Sequence, residues 1–315
     1  MMLGFPQAQV LDITGPLEVF SRTSRWLADH RGRRTPAYRI ELVAARRGPL
    51  EVSNGLRLLA THRYADAPRA DTLLVAGGIG FEAAMQDRKL LRWIAAQAAR
   101  VQRLGSICNG AMLLAAAGVL DGRAATTHWG YFDRLEKLAP RARIDRDALY
   151  VRSGNVYTSA GVTAGMDLAL ALVEQDHGKA TALAVAQELV LYLKRPGGQS
   201  QFSRHLAAQK RDDLFGELEL WMLDHPGEDL SVESLARRMN MSPRHLARLF
   251  VTRLGASPAA YVRRLRVEQA RRRIEEGASR LKQVARDCGF ADEQALRRSF
   301  QSFVGITPAE YRERF

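Results

Sequence analysis

The sequence predicts a chain in two parts, an α/β domain followed by an all-α domain of two helix-turn-helix units. Three observations predict this. A length of 315 residues exceeds what one small core usually needs, so two domains of unequal size are expected. Strand-like and helix-like patterns alternate over the first two hundred residues, as in a layered α/β fold. In the last third, Phe250, Gly255, Pro258 and Tyr261 recur as Phe300, Gly305, Pro308 and Tyr311, each displaced by 50 residues, which marks a duplicated unit.

Composition narrows the class. With 46% hydrophobic and 26% charged residues the chain is globular, and collagen-like, mucin-like and wholly disordered chains are excluded. No run of about 18 apolar residues occurs, so no membrane span is expected. The start, MMLGFPQAQVLDITGPLEVF, has no basic n-region, and Asp12 and Glu18 interrupt its apolar stretch, so it does not read as a signal peptide and a cytoplasmic location is expected. Cys108 and Cys288 are the only cysteines, which leaves no disulfide framework and no Cys-rich zinc site. The sequence calls for no cofactor and no metal.

In the front part, Tyr38 to Ala44 and Thr72 to Ala76 read as strands, the second running into Gly77-Gly78. Asp87 to Val101 is an amphipathic helix with Leu90, Leu91, Ile94, Ala98 and Val101 on one side. Leu104 to Ile107 is a short buried strand with Cys108 at its end, and Asn109 to Ala117 is an apolar helix closed by Gly118. Ligands of open α/β sheets sit at the carboxyl ends of strands, so Cys108 occupies a ligand position. A cysteine at the foot of a helix is either a stabilised thiolate or a small buried hydrophobe. Leu189 to Leu193 finishes a helix, and the run Arg195-Pro-Gly-Gly-Gln199 breaks it. The domains are then 1–195, a polar connector over 196–212, and 213–315, opened by an amphipathic helix over Phe215 to Leu223.

Charge is unevenly divided. Residues 1–195 hold 26 Lys+Arg and 18 Asp+Glu (+8), 196–229 hold 3 and 7 (−4), and 230–315 hold 18 and 9 (+9). The last block is the densest in positive charge, which suits a polyanion such as nucleic acid and equally a solvated arginine surface. Its repeat decides between them. In the first unit Ser231 is an N-cap before Val232, Leu235, Ala236 and Met239, and Ser242 caps a second helix with Pro243 at its first position and Leu246, Leu249 and Phe250 inward. In the second, Leu281, Val284, Ala285 and Cys288 make the first helix, and Asp292 caps a helix with Leu296 and Phe300 inward. Leu235-Ala236 matches Val284-Ala285 at an offset of 49, so one residue was gained or lost at the turn, Asn240-Met241-Ser242 against Gly289-Phe290-Ala291-Asp292. Arg244, His245 and Arg248 then face outward in one unit, and Glu293, Gln294, Arg297 and Arg298 in the other. Arg pairs with guanine, Gln with adenine, and Glu accepts from cytosine, so both faces carry base-reading chemistry. Any one of these arginines serves equally as a phosphate contact. A helix from Pro258 to about Glu276 joins the units, with Tyr261, Val262, Leu265 and Ile274 packing and Arg271-Arg272-Arg273 mostly solvated.

The stretches LARRMNMSPRHLARLFVTRLGASPAAYVRRLR and ARDCGFADEQALRRSFQSFVGITPAEYR make residues 230–315 resemble the DNA-binding domain of the AraC/XylS family of transcription regulators. That resemblance implies a monomeric reader with one helix in each of two successive major-groove turns of double-stranded operator DNA. LGSICNGAMLLAAAGVLDGRAATTHW and VLDITGPLEVF resemble the elbow region and the first loop and helix of the PfpI-like branch of the class I glutamine-amidotransferase-like superfamily. This implies a doubly wound, flavodoxin-like and amidotransferase-like parallel sheet. Asp12 corresponds to the acidic residue beside the cysteine, Cys108 to the elbow nucleophile and His128 to a nearby histidine; with Gly78 and Asn109 they form the implied ligand-binding set. Asn109 stands where the peptidase-like branch has histidine, so its Cys-His dyad is absent. The first strand, central and parallel in such a sheet, has only Met1 to Leu3 to draw on, so it is expected to be very short or the chain to begin upstream of Met1.

A PfpI-like domain, the run YLKRPGGQSQFS and an AraC-type domain together resemble the GlxA-type regulators. These use the front domain as a sensor and dimer former and not as a working enzyme. The resemblance implies a small-molecule effector, a homodimer through the front domain and, for an activator, RNA polymerase as a partner. Two alternatives use Cys108 differently: a cysteine-dependent hydratase or amidohydrolase carrying a DNA module, and a redox sensor. Asn109, and the lack of Lys or Glu near Cys108 in sequence, count against a protease.

Overall fold

The computed structural model describes residues 1–193, Gln199, 214–275 and 280–312. The chain divides into two compact units, Met1–Ser200 and Gln201–Phe315. The first is built from β1 (Met2–Leu3), α1 (Val10–Arg31), β2 (Leu42–Ala44), β3 (Gly48–Glu51), β4 (Arg57–Ala60), β5 (His62–Arg63), β6 (Thr72–Val75), α2 (Phe81–Gln86), α3 (Arg88–Ala98), β7 (Arg103–Ile107), α4 (Ala111–Ala116), β8 (Ala124–Ala125), α5 (Phe132–Leu138), β9 (Arg143–Ile144), β10 (Tyr150–Ser153), β11 (Val156–Ser159) and α6 (Thr163–Glu188). Seven strands form one sheet in the order β10-β11-β7-β6-β1-β2-β5. Its pairings are parallel except at the β10 edge. Helices cover it: α1 packs on α6, and α4 packs on α2, α3 and α5. The central strands β6, β7 and β11 are buried nearly throughout, as strands covered on both faces must be. This is the flavodoxin-like α/β class that the sequence predicts.

β1 is two residues long and central, Met2 pairing with Leu42 and Leu74, and Leu3 with Val43 and Val75. The same shortness trims its neighbour. The expected strand Tyr38 to Ala44 is strand only over Leu42–Ala44, because the β1 ladder reaches no further back. Asp87 caps α3, its carboxylate accepting from the Lys89 and Leu90 N–H groups. The apolar helix expected over Asn109 to Ala117 begins instead as a 3-10 turn over Cys108–Gly110 and is α-helical only over Ala111–Ala116. The helix expected to run through Leu193 ends at Glu188. Val190 takes a left-handed φ of 54°, its N–H donates to Gln187 O, and Leu191 N–H donates to Ala186 O, which together make a Schellman closure. Of the connector over 196–212, only Gln199 lies among the described residues.

The second unit holds α7 (Leu214–Asp224), α8 (Val232–Arg238), α9 (Pro243–Leu254), α10 (Pro258–Glu275), α11 (Leu281–Asp287), α12 (Glu293–Val304) and α13 (Pro308–Arg312). Ser231, Ser242 and Asp292 each accept from the N–H three residues on, as their residue types require. Both helix-turn-helix turns are Schellman closures around a left-handed residue, Asn240 (φ 51°) and Gly289 (φ 75°). In one, Met241 N–H donates to Ala236 O; in the other, Phe290 N–H donates to Ala285 O. Met241 therefore corresponds to Phe290, and the extra residue of the second turn is Ala291.

Each unit has its own core. Phe250 packs edge-on against Tyr261 with centroids 5.7 Å apart, and Phe300 against Tyr311 at 5.3 Å. α10 serves both, giving Tyr261, Val262 and Leu265 to the first core and Val267, Ala270 and Ile274 to the second. The arginine run on α10 is not simply solvated: Arg271 Nε donates to Tyr311 Oη at 3.3 Å, and Arg273 pairs with Asp287 at 3.1 Å. These side chains fasten the second unit. Phe300, fully buried, fills that core, and Phe300→Ala is expected to destabilise the second unit by about 3–5 kcal/mol. Urea denaturation of the full chain followed by circular dichroism measures this, and a loss below about 1 kcal/mol contradicts the assignment of a separate core.

Candidate functional site

The strand β7 delivers Cys108 to the carboxyl edge of the sheet on a strained backbone, φ 55°, a conformation that non-glycine residues rarely hold without a compensating framework. That framework is local. Thr127 Oγ1 donates to the Cys108 carbonyl at 2.9 Å. From the first turn of α1, the buried Asp12 bridges two loops: its Oδ2 accepts from Gly77 N–H at 3.2 Å and its Oδ1 from Val162 N–H at 2.9 Å. Two glycines make room. A Cβ on Gly161 would stand 2.9 Å from Cys108 Sγ, and one on Gly77 would stand 2.6 Å from both Asp12 Oδ2 and Asn109 Oδ1.

The electrostatics follow from this packing. Burial pushes the Asp12 carboxyl up to about 6, against the opposing pull of its two N–H donors. Burial, and secondly the charge of Asp12, push the Cys108 thiol up to about 12, with the Asn109 N–H acting the other way. Of the two readings left open for this cysteine, the stabilised thiolate is the one this environment opposes. Asn109 is spent on backbone: its Oδ1 accepts from Gly78 N–H at 2.7 Å and its Nδ2 donates to Gly78 O at 3.2 Å. His128 follows Thr127 and is held in its own turn, Nδ1 accepting from Gly130 N–H at 3.2 Å with its ring against Trp129 and Tyr131. Burial lowers its pKa, which favours the neutral imidazole. No hydrogen bond joins His128 to Cys108 among the described residues.

Asp12, Gly78, Cys108 and Asn109 are thus brought together, with His128 one residue beyond the threonine that holds the elbow. Gly77, which the sequence marks only as the end of a strand, belongs to the same site, as do Thr127, Gly161 and Val162, which it does not mark. The Gly77-Gly78 pair is a legible signal; Gly161 and Val162 reach the site only through the fold.

In the second unit the outward faces are as expected except at Glu293. Arg244, His245 and Arg248 are exposed on α9, with Arg248 Nη2 and His245 Nδ1 3.0 Å apart. On α12, Gln294, Arg297 and Arg298 are exposed, while Glu293 is half-buried and accepts from Arg297 at 2.7 Å. Glu293 and Arg297 therefore present one paired group, an i,i+4 contact.

A flavodoxin-like sheet with a cysteine elbow, joined to two helix-turn-helix units, defines the class. Residues 1–175 match the DJ-1/PfpI family, and residues 235–314 match a helix-turn-helix domain. The chain belongs to the DJ-1/PfpI family. It is 38% identical over 185 residues to an isonitrile hydratase of Pseudomonas putida, covering 59% of this chain and 75% of that one. It is 27% identical over 287 residues to the HTH-type transcriptional regulator GlxA of Rhizobium meliloti, 89% of this chain and 86% of that one. Among solved structures, a ThiJ/PfpI family protein from Pseudomonas syringae superposes with a TM-score of 0.53 at 30% identity, over 62% of this chain and 75% of that one.

Two outcomes test the elbow. With burial pushing the thiol up to about 12 from an ordinary 9.0, thiolate is much scarcer at neutral pH than in an unperturbed cysteine, so iodoacetamide should label Cys108 far more slowly in the folded chain than in urea. Peptide mass mapping reads this, and folded labelling as fast as unfolded contradicts it. Because burial raises the Asp12 carboxyl in the folded state from an ordinary 3.8 to about 6, protonation of Asp12 favours the folded state, an effect that is complete below the ordinary value and is lost as pH rises through about 6. A carboxyl NMR titration of the folded chain should place its midpoint near 6, and a midpoint below 4 contradicts this.

Proposed function

We propose that this chain is a sequence-specific DNA-binding transcription regulator whose DJ-1/PfpI-like front unit senses a small molecule at the Cys108 elbow. The observation that carries the reading is the duplicated helix-turn-helix: two capped helices present exposed arginines in the most basic part of the chain. Arg244, His245 and Arg248 read one major-groove segment of operator DNA, and Gln294, Arg298 and the Glu293–Arg297 pair read the next. The effector sits against Asp12, Gly78, Cys108, Asn109 and His128. Two copies associate through the front unit, RNA polymerase is the further partner if the regulator activates, and the protein works in the cytoplasm. Among the described residues no helix is long and apolar enough to cross a membrane.

A second reading has its own support. Similarity of the front unit to an isonitrile hydratase, and a buried carboxyl set beside an elbow cysteine, favour a cysteine-dependent hydratase or amidohydrolase. Against it, the Gly78 N–H is already taken by Asn109 and the thiol is held neutral, so neither an oxyanion donor at Gly78 nor a ready nucleophile is on offer. An isonitrile turned over at a rate that Cys108→Ser abolishes would favour the enzyme.

Arg248→Ala and Arg298→Ala should each weaken operator binding by about tenfold or more, with a smaller change on scrambled DNA, since a base contact contributes about 1–3 kcal/mol of discrimination. Fluorescence anisotropy at fixed salt measures both. Wild-type discrimination in both variants contradicts the groove assignment.

A further inference from the structure

Gln199 stands within the stretch that the sequence marks as the connector, yet it is only 5% exposed. Its Nε2 donates to Thr126 Oγ1 at 3.0 Å and to the Ala148 carbonyl at 2.9 Å, and its backbone N–H donates to the Asp147 carbonyl at 2.8 Å. The Ala148 carbonyl can only accept, which fixes the orientation of the amide. Among the described residues the buried Gln199 Oε1 meets no donor. Seating a glutamine this way costs rotamer freedom and hydration, a cost these three bonds offset at Gln199.

The seat adjoins the elbow. Thr126 N–H donates to Thr158 Oγ1 at 2.8 Å. The next residue, Thr127, donates to the Cys108 carbonyl, and His128 follows. Thr158 lies opposite Ser106 in the β11–β7 register, so their side chains share one face of the sheet, and Ser106 Oγ is likewise buried without a partner. A polar layer therefore runs from the strand that carries Cys108, through Thr158 and Thr126, to Gln199. Hydrogen bonds within such a buried layer depend on one another, so a rearrangement at one end is felt along it.

We propose that Gln199 is a latch: it fastens the start of the connector to the front unit, and its engagement is coupled to the Cys108 elbow through Thr126, Thr127 and His128. A group seated at the elbow that displaces Thr127 loosens Gln199, and by reciprocity loosening Gln199 alters the elbow. The step is an exchange of hydrogen bonds alone. It does not depend on DNA binding, so it stands or falls separately from the regulatory reading.

The test uses the full chain as wild type, Gln199→Ala and Gln199→Glu. Tryptic cleavage in the connector, at Arg204, Lys210 and Arg211, reads the latch, and iodoacetamide labelling of Cys108, mapped by peptide mass, reads the elbow. Two hydrogen bonds of ordinary strength shift an opening equilibrium by about tenfold. Gln199→Ala should therefore raise cleavage by about tenfold, where cleavage follows the open population, and change Cys108 labelling several-fold. An ionised glutamate has no side-chain donor, so Gln199→Glu should match alanine near pH 8 and move back toward wild type near pH 5, because burial in this seat favours the protonated carboxyl, which can donate to the Ala148 carbonyl. Each rate is taken relative to wild type at the same pH, and a folding defect would not reverse in this way. Faster cleavage with unchanged Cys108 labelling overturns the coupling and leaves Gln199 an anchor. Unchanged cleavage in both variants overturns the latch.

Discussion

Two backbone N–H groups, from Gly77 and from Val162, converge on one buried carboxylate, Asp12. The rest of the front unit is arranged around that convergence. The donors lie 65 and 150 residues from Asp12 along the chain and belong to the loops after β6 and β11, so the carboxylate closes the carboxyl edge of the sheet across α1. Without it, the buried Gly77 N–H and the part-buried Val162 N–H would lose their acceptor, at a cost of up to about 1–3 kcal/mol each. The same loops bring Gly77 and Gly161 against Cys108, which holds the strained elbow from two sides. Keeping the carboxylate buried raises its own pKa and that of the thiol beside it. The bracing of the elbow and the raised pKa of its cysteine thus have one origin.

The second unit solves a different problem by using one solution twice. A short helix, a Schellman turn, a capped reading helix and a glycine closure at Gly255 or Gly305 recur, with a phenylalanine–tyrosine pair at the centre of each core. What varies is the polar group that meets each tyrosine hydroxyl, Glu219 in the first and Arg271 in the second. Both come from the helix that precedes the unit. The long helix α10 is therefore the first unit's last element and the second unit's support, which is why its arginines are engaged and not merely solvated. The one-residue difference between the turns is absorbed after the left-handed residue, at Ala291, so the geometry of the turn itself is unchanged.

Local chemistry was legible in the sequence and long-range chemistry was not. Ser231, Ser242 and Asp292 announce their caps by residue type, and the 50-residue repeat exposes both reading faces before any fold is known. Cys108 is placed correctly because a buried strand followed by an apolar helix has a defined edge. The resemblance to known families brought Asp12 to it, but the bracket of Gly77 and Val162 depends on residues far apart in sequence. The helix end at Val190 escaped because a β-branched residue is a poor candidate for a left-handed position, so nothing in its type signals a stop. Arg271 and Arg273 look like a solvated run until their partners Tyr311 and Asp287 are in place, and Gln199 looks like linker until Thr126 and Ala148 are beside it.

A braced elbow with a neutral cysteine and a duplicated helix-turn-helix reader share one chain, and Gln199 is held beside the elbow. The central claim is that this chain recognises a particular DNA sequence with both heads at once. The most direct measurement is a DNase footprint of the full chain on the DNA flanking its own gene and neighbouring genes, at near-physiological salt. The account predicts a discrete protected site covering two successive major-groove turns on one face, about 34 Å apart for each copy bound. Uniform weak protection, no different from that on scrambled DNA and lost with modest added salt, would mean that the basic unit binds phosphate alone and would contradict the account.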